Sequence, residues 1–253
     1  MNIFFGIKSD DFETSLNIPK FRNDTSKSSY YSLFKLNIFK SNWSYEKVEP
    51  ENNFDFYFIE NDMANNENIF VLAKENEIKE IKKNNEIIDL NHFTNSSPAF
   101  RANLKISITD GGFSSYQSEY PYKMVIKKGN ILSPISTLLN TDADKNYLVL
   151  KNIYYKPIIE NFNVYIFNFK KKKILKTLIA KTNYTNLFDI DNKLINSDNY
   201  IFSKNYLGIP IFISIKKKHL SMEHTHPPHE YIISKDKFQI FSALKNQINE
   251  ILF

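Results

Sequence analysis

The chain of 253 residues contains no cysteine, five glycines, one tryptophan and two arginines. Without cysteine it has no disulfide, no thiolate nucleophile and no Cys-ligated zinc, and a reducing compartment is compatible with it. The few glycines form neither G-x-x-x-x-G-K-[ST] nor G-x-G-x-x-G, the patterns whose backbone approaches phosphate. These absences disfavour disulfide scaffolds, thiol enzymes and the common nucleotide-binding folds.

The chain carries only a small excess of positive charge. Its formal net charge is +5, whereas nucleic-acid binders usually carry a stronger and more clustered excess, so a nucleic-acid partner is disfavoured. The lysine runs Lys170–Lys173 and Lys216–Lys218 follow strand-like segments, where lysines typically mark solvated turns and protected sheet edges. No apolar window is long enough for a membrane span, and the N-terminus lacks a basic signal region. We therefore expect a cytoplasmic protein.

Residue types that favour β-strands are abundant, with 22 Phe, 15 Tyr and many Ile. The 32 Asn residues, together with frequent Lys and Ile, are typical of an AT-rich genome and carry no functional information. Ten windows are apolar or alternating at strand length and are separated by polar turns, a spacing typical of a sandwich or barrel. The sequence therefore predicts a mostly β fold, an antiparallel β-sandwich of immunoglobulin-like or jelly-roll type. The ten windows are Ile3–Ile7, Tyr30–Phe39, Phe54–Ile59, Ile69–Ala73, Asn103–Thr109, Tyr147–Tyr155, Asn163–Phe169, Ile174–Ala180, Tyr200–Phe202 and Ile209–Ile215.

Three local patterns refine this prediction. Phe162–Phe169, Lys170–Lys173 and Ile174–Ile179 together predict a hairpin with the lysines at its tip. Residues 74–90 are highly charged and fit either a helix or two short strands, because their periodicity does not decide. Apolar residues recur every three or four positions from Phe238 to Leu252, which predicts a C-terminal amphipathic helix that packs on a sheet, with Ser234 as its N-cap.

The segment Asn91–Pro98 has the composition of a linker, because it is small and polar and its proline disfavours helix in the preceding residue. It predicts a division into a β-rich N-terminal lobe, residues 1–94, and a β-sandwich with the C-terminal helix, residues 95–253. One continuous domain is the alternative.

Four of the five histidines fall within residues 219–229. In an extended chain His224 and His226 point the same way, while Pro227-Pro228 stiffens the approach of His229 and Glu230 adds a carboxylate. Imidazole and carboxylate are common ligands of Zn²⁺ and Fe²⁺. The candidate metal site is therefore His224, His226, His229 and Glu230, and a structural role for a proline-rich surface loop is the alternative.

The string His224-Thr-His226-x-x-x-Glu230 resembles the HxHxxxE core of the first cupin motif, whose three residues bind metal in that family. Here the flanking glycines are absent and Pro-Pro interrupts the turn between strands. Only 23 residues follow Glu230, and they contain no second histidine motif. We therefore treat the string as a chance match and assign no family.

A second candidate site lies in Thr109–Lys123, which holds two of the five glycines and three tyrosines. Aromatic faces combined with amide and carboxylate groups suit a sugar or similar polyol. The alternative is structural, because Asp110-Gly111-Gly112 is a hairpin-turn sequence and the following Ser/Tyr alternation fits the outer face of a strand. The candidate ligand-binding residues are Tyr116, Gln117, Glu119, Tyr120 and Tyr122.

No complete catalytic constellation is present, so the leading hypothesis is a non-catalytic ligand-binding or accessory β-sandwich protein with a glycan or glycoconjugate ligand. A second hypothesis is a metal-dependent enzyme that uses Zn or Fe bound by His224, His226 and His229. A third is a self-associating structural protein, because free sheet edges can pair with one another. The sequence assigns no cofactor beyond these candidate metals and sets no oligomeric state.

Overall fold

A computed structural model describes residues 2–20, 31–88, 102–117, 119–126, 128–224 and 235–252. This part of the chain forms strands and three α-helices. The helices are α1 (Glu75–Asn84), α2 (Tyr122–Val125) and α3 (Lys237–Leu252). In chain order the strands are β1 (Asn2–Phe5), β2 (Glu13–Pro19), β3 (Ser32–Phe39), β4 (Asn42–Lys47), β5 (Phe56–Glu60), β6 (Ile69–Ala73), β7 (Asn103–Ser107), β8 (Phe113–Gln117), β9 (Ile131–Pro134), β10 (Lys145–Asn152), β11 (Asn161–Asn168), β12 (Lys173–Lys181), β13 (Tyr184–Asp189), β14 (Asn199–Ser203), β15 (Ile209–Lys216) and β16 (His219–His224).

The strands form four antiparallel sheets of four strands each. Sheet 1 has the order β1-β6-β3-β4 and sheet 2 the order β5-β2-β7-β8. Sheet 3 has the order β13-β10-β15-β16 and sheet 4 the order β12-β11-β14-β9. Strands hold far more of the described residues than helices do, which confirms the predicted mostly β fold with a C-terminal helix and is consistent with a β-sandwich.

Sheet 3 is the shared wall between two apolar cores. Consecutive side chains of a strand point to opposite faces, and β10 is apolar on both. Tyr147, Val149 and Ile153 join the core of sheets 1 and 2, whereas Leu148 and Leu150 pack against sheet 4. Such a strand appears in the sequence as a nearly continuous apolar run. The N-terminal sheets therefore lie directly against the sandwich of sheets 3 and 4.

The predicted hairpin is confirmed, since β11 and β12 pair in antiparallel register and the lysine run forms their turn. The ambiguous segment after β6 is the helix α1, which buries Ile78 and Ile81. This helix ends where Asn85 adopts the left-handed conformation, with φ of 52°. Two buried isoleucines three residues apart fit helix and irregular strand patterns alike, so the sequence alone did not separate them.

The C-terminal helix contacts sheet 4 through only part of its predicted apolar stripe. Ile248 is fully buried, and Leu252 packs beside it against the aromatic side chains of sheet 4. Phe238 and Ile251 are 63% and 41% exposed. At about 100° per residue, Ile251 lies on the side of Ile248 that faces away from Leu252. Phe238 lies in the first turn of the helix, ten residues before Ile248.

Strands β7 and β8 belong to the N-terminal core, because β7 pairs with β2 in sheet 2. The proposed linker Asn91–Pro98 and the N-cap Ser234 lie outside the described residues. Among the described helices, none combines the length and the apolar character needed to cross a membrane.

Candidate functional site

The tyrosines of the predicted ligand segment lie in or against the N-terminal core. Tyr120 is fully buried, with its ring edge-on to Phe5 at 6.4 Å between centroids. Tyr116 is half-buried, and the hydroxyl of Tyr122 donates to the carbonyl oxygen of Ile87 at 3.4 Å. The three rings thus serve packing, and they do not form one open aromatic platform.

The two polar members of this segment differ in exposure. Gln117 is exposed at the end of β8, whereas Glu119 is half-buried and accepts a hydrogen bond from Nδ2 of Asn2 at 3.1 Å. The alternative assignment of the preceding residues, a hairpin turn at Asp110-Gly111-Gly112, is observed between β7 and β8. A ligand-binding role for the tyrosine segment stays a prediction.

His224 is the only member of the candidate metal site that lies within the described residues. It ends β16, and its ring packs edge-on against Tyr116 at 4.7 Å between centroids. His226, His229 and Glu230 lie outside the described part. Within that part, no group of three or more His, Cys, Asp or Glu side chains is arranged to hold a metal ion. Zn or Fe binding by the histidine segment therefore stays a prediction.

The structure reveals a different candidate site, a cleft of about 130 Å³ between sheet 1 and the turn that joins β12 to β13. We call it the Trp43 cleft. Sheet 1 and the residues before β6 contribute one wall, and the β12–β13 turn contributes the other. The lining includes two aromatic rings, two amides and one pair of opposite charges, from Asn37, Trp43, Glu67, Lys181, Asn183 and Tyr184.

Two hydrogen bonds fix the orientation of Trp43, the only tryptophan of the chain. Its backbone N–H donates to Oδ1 of Asn85 at 2.9 Å, so the residue that ends α1 also positions β4. Its indole Nε1–H donates to the carbonyl oxygen of Tyr155 at 2.9 Å. This second bond ties sheet 1 to the segment after β10, which is 112 residues away in the chain.

Asn183 builds the opposite wall. It sits in the tight turn between β12 and β13 with φ of 54°, a conformation that Asn tolerates better than most residues. Its Oδ1 accepts from the backbone N–H of Tyr154 at 2.7 Å, and its Nδ2 donates to the carbonyl oxygens of Lys156 and Ile158 at 2.9 and 3.0 Å. One side chain thus holds the loop that carries the 62% exposed Ile159 at the cleft rim.

Replacing Asn183 with alanine is expected to lower the free energy of unfolding by about 2 kcal/mol, because it removes three hydrogen bonds and leaves buried backbone groups unpaired. Urea unfolding measures the change. The matched control is Asn42→Ala, which removes one exposed hydrogen bond to the Lys40 carbonyl and should change stability by less than about 0.5 kcal/mol. Equal effects of the two substitutions would contradict this role of Asn183.

The polar groups that remain for a ligand are Asn37, Glu67 and Lys181. Oδ1 of Asn37 is buried and has no hydrogen-bond partner among the described residues. Lys181 places Nζ over the ring of Tyr184, 5.6 Å from its centroid. The lining thus combines ring surface, one unpaired acceptor and two opposite charges, and it includes no imidazole or thiol. Ring surface combined with a few polar groups is typical of a ligand-binding site.

A second cleft, of about 370 Å³, lies where the β1–β2 connection meets Asp62 and Thr109. Three of its charged side chains are used in ion pairs: Lys8 with Asp62, and Asp11 with Lys145. Hydrogen bonds from Lys145 and the hydroxyl of Tyr147 lower the pKa of Asp11. The pair of Lys145 with Asp11 connects β10 to the N-terminal core, and we assign this cleft a structural role.

The residues of the Trp43 cleft escaped the sequence analysis because they come from four separate stretches of chain. One signal was available, since a single tryptophan in an aromatic-rich chain is worth examining. The Asn183-Tyr184 pair that follows the strand-like window Ile174–Ala180 was a second. Comparison of this chain with protein-family models, with curated proteins and with solved structures finds no match.

Proposed function

We propose that this protein is a non-catalytic binding or accessory protein whose ligand is a glycan or glycoconjugate held in the Trp43 cleft. One observation carries the proposal: the cleft contains a buried acceptor, Oδ1 of Asn37, that no described residue satisfies. Leaving a buried acceptor unpaired costs about 1–3 kcal/mol. A hydroxyl or amide N–H of a bound ligand would remove that cost.

The remainder of the lining supports a polyol. Half-buried Tyr184 offers ring surface to the C–H faces of a sugar beside the 4% exposed Trp43, and aromatic side chains contribute such contacts at low entropic cost. Glu67 and Lys181 carry opposite charges, so the lining as a whole favours neither an anion nor a cation. A neutral, hydroxyl-rich ligand matches this balance best.

The test uses Trp43 itself, because the only tryptophan lines the site. Wild-type protein is titrated with methyl glycosides of glucose, galactose, N-acetylglucosamine and glucuronic acid, and a glycan array extends the panel. We expect a saturable change in tryptophan fluorescence for at least one neutral sugar. Asn37→Ala should weaken that binding by about 5- to 100-fold, which corresponds to about 1–3 kcal/mol.

The control is Gln117→Ala, which alters the tyrosine segment and leaves the cleft intact. It should bind as tightly as the wild type. If Gln117→Ala lost binding while Asn37→Ala kept it, the ligand would occupy the tyrosine segment and the cleft assignment would be wrong. If neither the panel nor the array gave a signal above that of an unrelated β-sandwich protein, the glycan proposal would fall.

A further inference from the structure

Lys151 is the next-to-last residue of β10 and is completely buried, with a relative exposure of 0%. Its Nζ has no hydrogen-bond partner among the described residues, and its nearest characterised contact is the ring of Phe5, 5.8 Å from Nζ to the centroid. A buried ammonium group with no partner is strongly unfavourable. Burial without a partner therefore favours the neutral form of this amine.

Two hydrogen bonds at the residue opposite Lys151 connect sheet 3 to the chain segments next to β1 and β6. Lys151 pairs with Thr185 of β13. The hydroxyl of Thr185 donates to the carbonyl oxygen of Gly6 at 2.9 Å, and its backbone N–H donates to the carbonyl oxygen of Asn66 at 2.8 Å. We call these two hydrogen bonds the Thr185 seam. Gly6 directly follows Phe5, whose ring lies beside the Lys151 amine. The buried amine and the Thr185 seam are therefore neighbours.

The seam is also next to the Trp43 cleft. Tyr184 precedes Thr185 and Glu67 follows Asn66, and both Tyr184 and Glu67 line the cleft. Any separation of β13 from the residues before β6 would therefore move both walls of the cleft.

Other titratable side chains lie on the same face of β10 as Lys151 or on the elements that pack against that face. Burial raises the pKa of Tyr120, and burial with a hydrogen bond to Asp11 raises the pKa of Tyr147, so both phenols are neutral near pH 7. The others include Asp11, which pairs with Tyr147, Glu119, which accepts from Asn2, and His224, which packs on Tyr116.

We propose that Lys151 is a proton-sensitive latch: its neutral amine keeps the Thr185 seam closed, and its ammonium form opens the seam and with it the Trp43 cleft. The ammonium group requires hydration, and water can reach it only if β1 and β10 separate. That separation removes the hydrogen bonds from Thr185 to Gly6 and Asn66. This proposal depends on the proposed function in one respect only, because it takes the Trp43 cleft to be the ligand-binding site.

The working range of the latch is near neutral pH. Burial lowers the pKa of Lys151 from 10.5 to about 7. A neutral amine therefore predominates above this value and an ammonium group below it. The seam is expected to be closed in mildly alkaline solution and open in mildly acidic solution.

Trp43 reports on the opening, because it is the only tryptophan and is 4% exposed in the closed structure. We would measure acrylamide quenching of its fluorescence from about pH 8.5 to about pH 5.5. The quenching constant should rise about two-fold or more as the pH falls, with a midpoint near 7. Lys151→Met should abolish the transition, whereas Lys170→Met, at the exposed hairpin turn, should retain it.

Lys151→Arg is the complementary variant, because its guanidinium stays protonated throughout this range. It should give at about pH 8.5 the high quenching that the wild type reaches at about pH 5.5. A flat wild-type profile would overturn the proposal, and so would a transition that persists in Lys151→Met and must then arise from the histidines. If Lys151→Arg does not fold, Lys151→Met alone decides. Acrylamide needs no ligand, so these results are independent of whether any glycan binds.

Discussion

Replacing Lys151 with methionine is expected to raise the free energy of unfolding at pH 7 by about 3–5 kcal/mol. Each unit of pKa difference between the folded and unfolded states corresponds to about 1.4 kcal/mol. A pKa that falls from 10.5 to about 7 on burial therefore represents about 5 kcal/mol of lost stability. Methionine has a similar length and an apolar end, so it fills the space beside Phe5 without this loss.

The pH dependence gives a second signature of the same group. Between pH 7 and 10.5 the unfolded chain binds a proton at Lys151 and the folded chain does not, so wild-type stability rises with pH over this window. The slope should approach about 1.4 kcal/mol per pH unit and should disappear below pH 7, where both states are protonated. In Lys151→Met this contribution is absent at every pH.

Urea unfolding of the wild type and Lys151→Met at about pH 7, 8 and 9 measures both effects. Lys170→Met is the control, because it removes one lysine charge from an exposed turn. It should keep the wild-type slope and change stability by less than about 0.5 kcal/mol. A variant Lys151→Met that is less stable than the wild type at pH 7, or that keeps the wild-type slope, would show that the amine is not held neutral by burial.

Gly6→Ala is expected to lower the free energy of unfolding by about 3 kcal/mol or more. A Cβ atom on Gly6 would lie 2.2 Å from the carbonyl oxygen and 2.6 Å from the carbonyl carbon of Ala64. Both atoms belong to the backbone, so no side-chain rotation relieves the overlap. The chain after β1 would have to move, and the hydrogen bond from Thr185 to the Gly6 carbonyl would be lost.

Gly129→Ala is the matched control for this substitution. There the nearest atom to a new Cβ is Cδ2 of Leu207 at 2.9 Å, the end of a side chain that can rotate away. It should change stability by less than about 1 kcal/mol in the same urea experiment. Gly6→Ala should also increase acrylamide quenching of Trp43 at about pH 8.5, since it weakens the Thr185 seam. A fully stable Gly6→Ala variant would show that β1 can shift without affecting sheet 3.

The structure moves the candidate ligand site from the tyrosine segment to the Trp43 cleft. From the sequence we expected Tyr116, Tyr120 and Tyr122 to bind a sugar, because tyrosines near a glycine turn match that chemistry. The fold buries or half-buries these rings against the N-terminal core. Aromatic side chains suit a sugar site and a β-sheet core equally well, so composition could not separate the two uses.

Local patterns predicted most of the secondary structure. The β11–β12 hairpin, the buried run of β15 and the helix α3 each depend on neighbours within about 20 residues, and their periodicity was visible in the sequence. Strands such as β4 and β16 were missed because they carry polar and charged side chains in most positions and owe their pairing to β3 and β15. Tertiary context overrides weak strand propensity at such edges.

The sequence by itself determined the β-rich class, the C-terminal helix and the exclusion of thiol chemistry and glycine-rich phosphate loops, because these follow from composition and short-range periodicity. Only the tertiary structure brought Trp43 to the carbonyl of Tyr155 and enclosed Lys151 between sheets 1 and 3. A lysine within an apolar strand can point to solvent or into the core. Its direction depends on which sheet covers that face, and the covering residues are about 145 positions away in the chain.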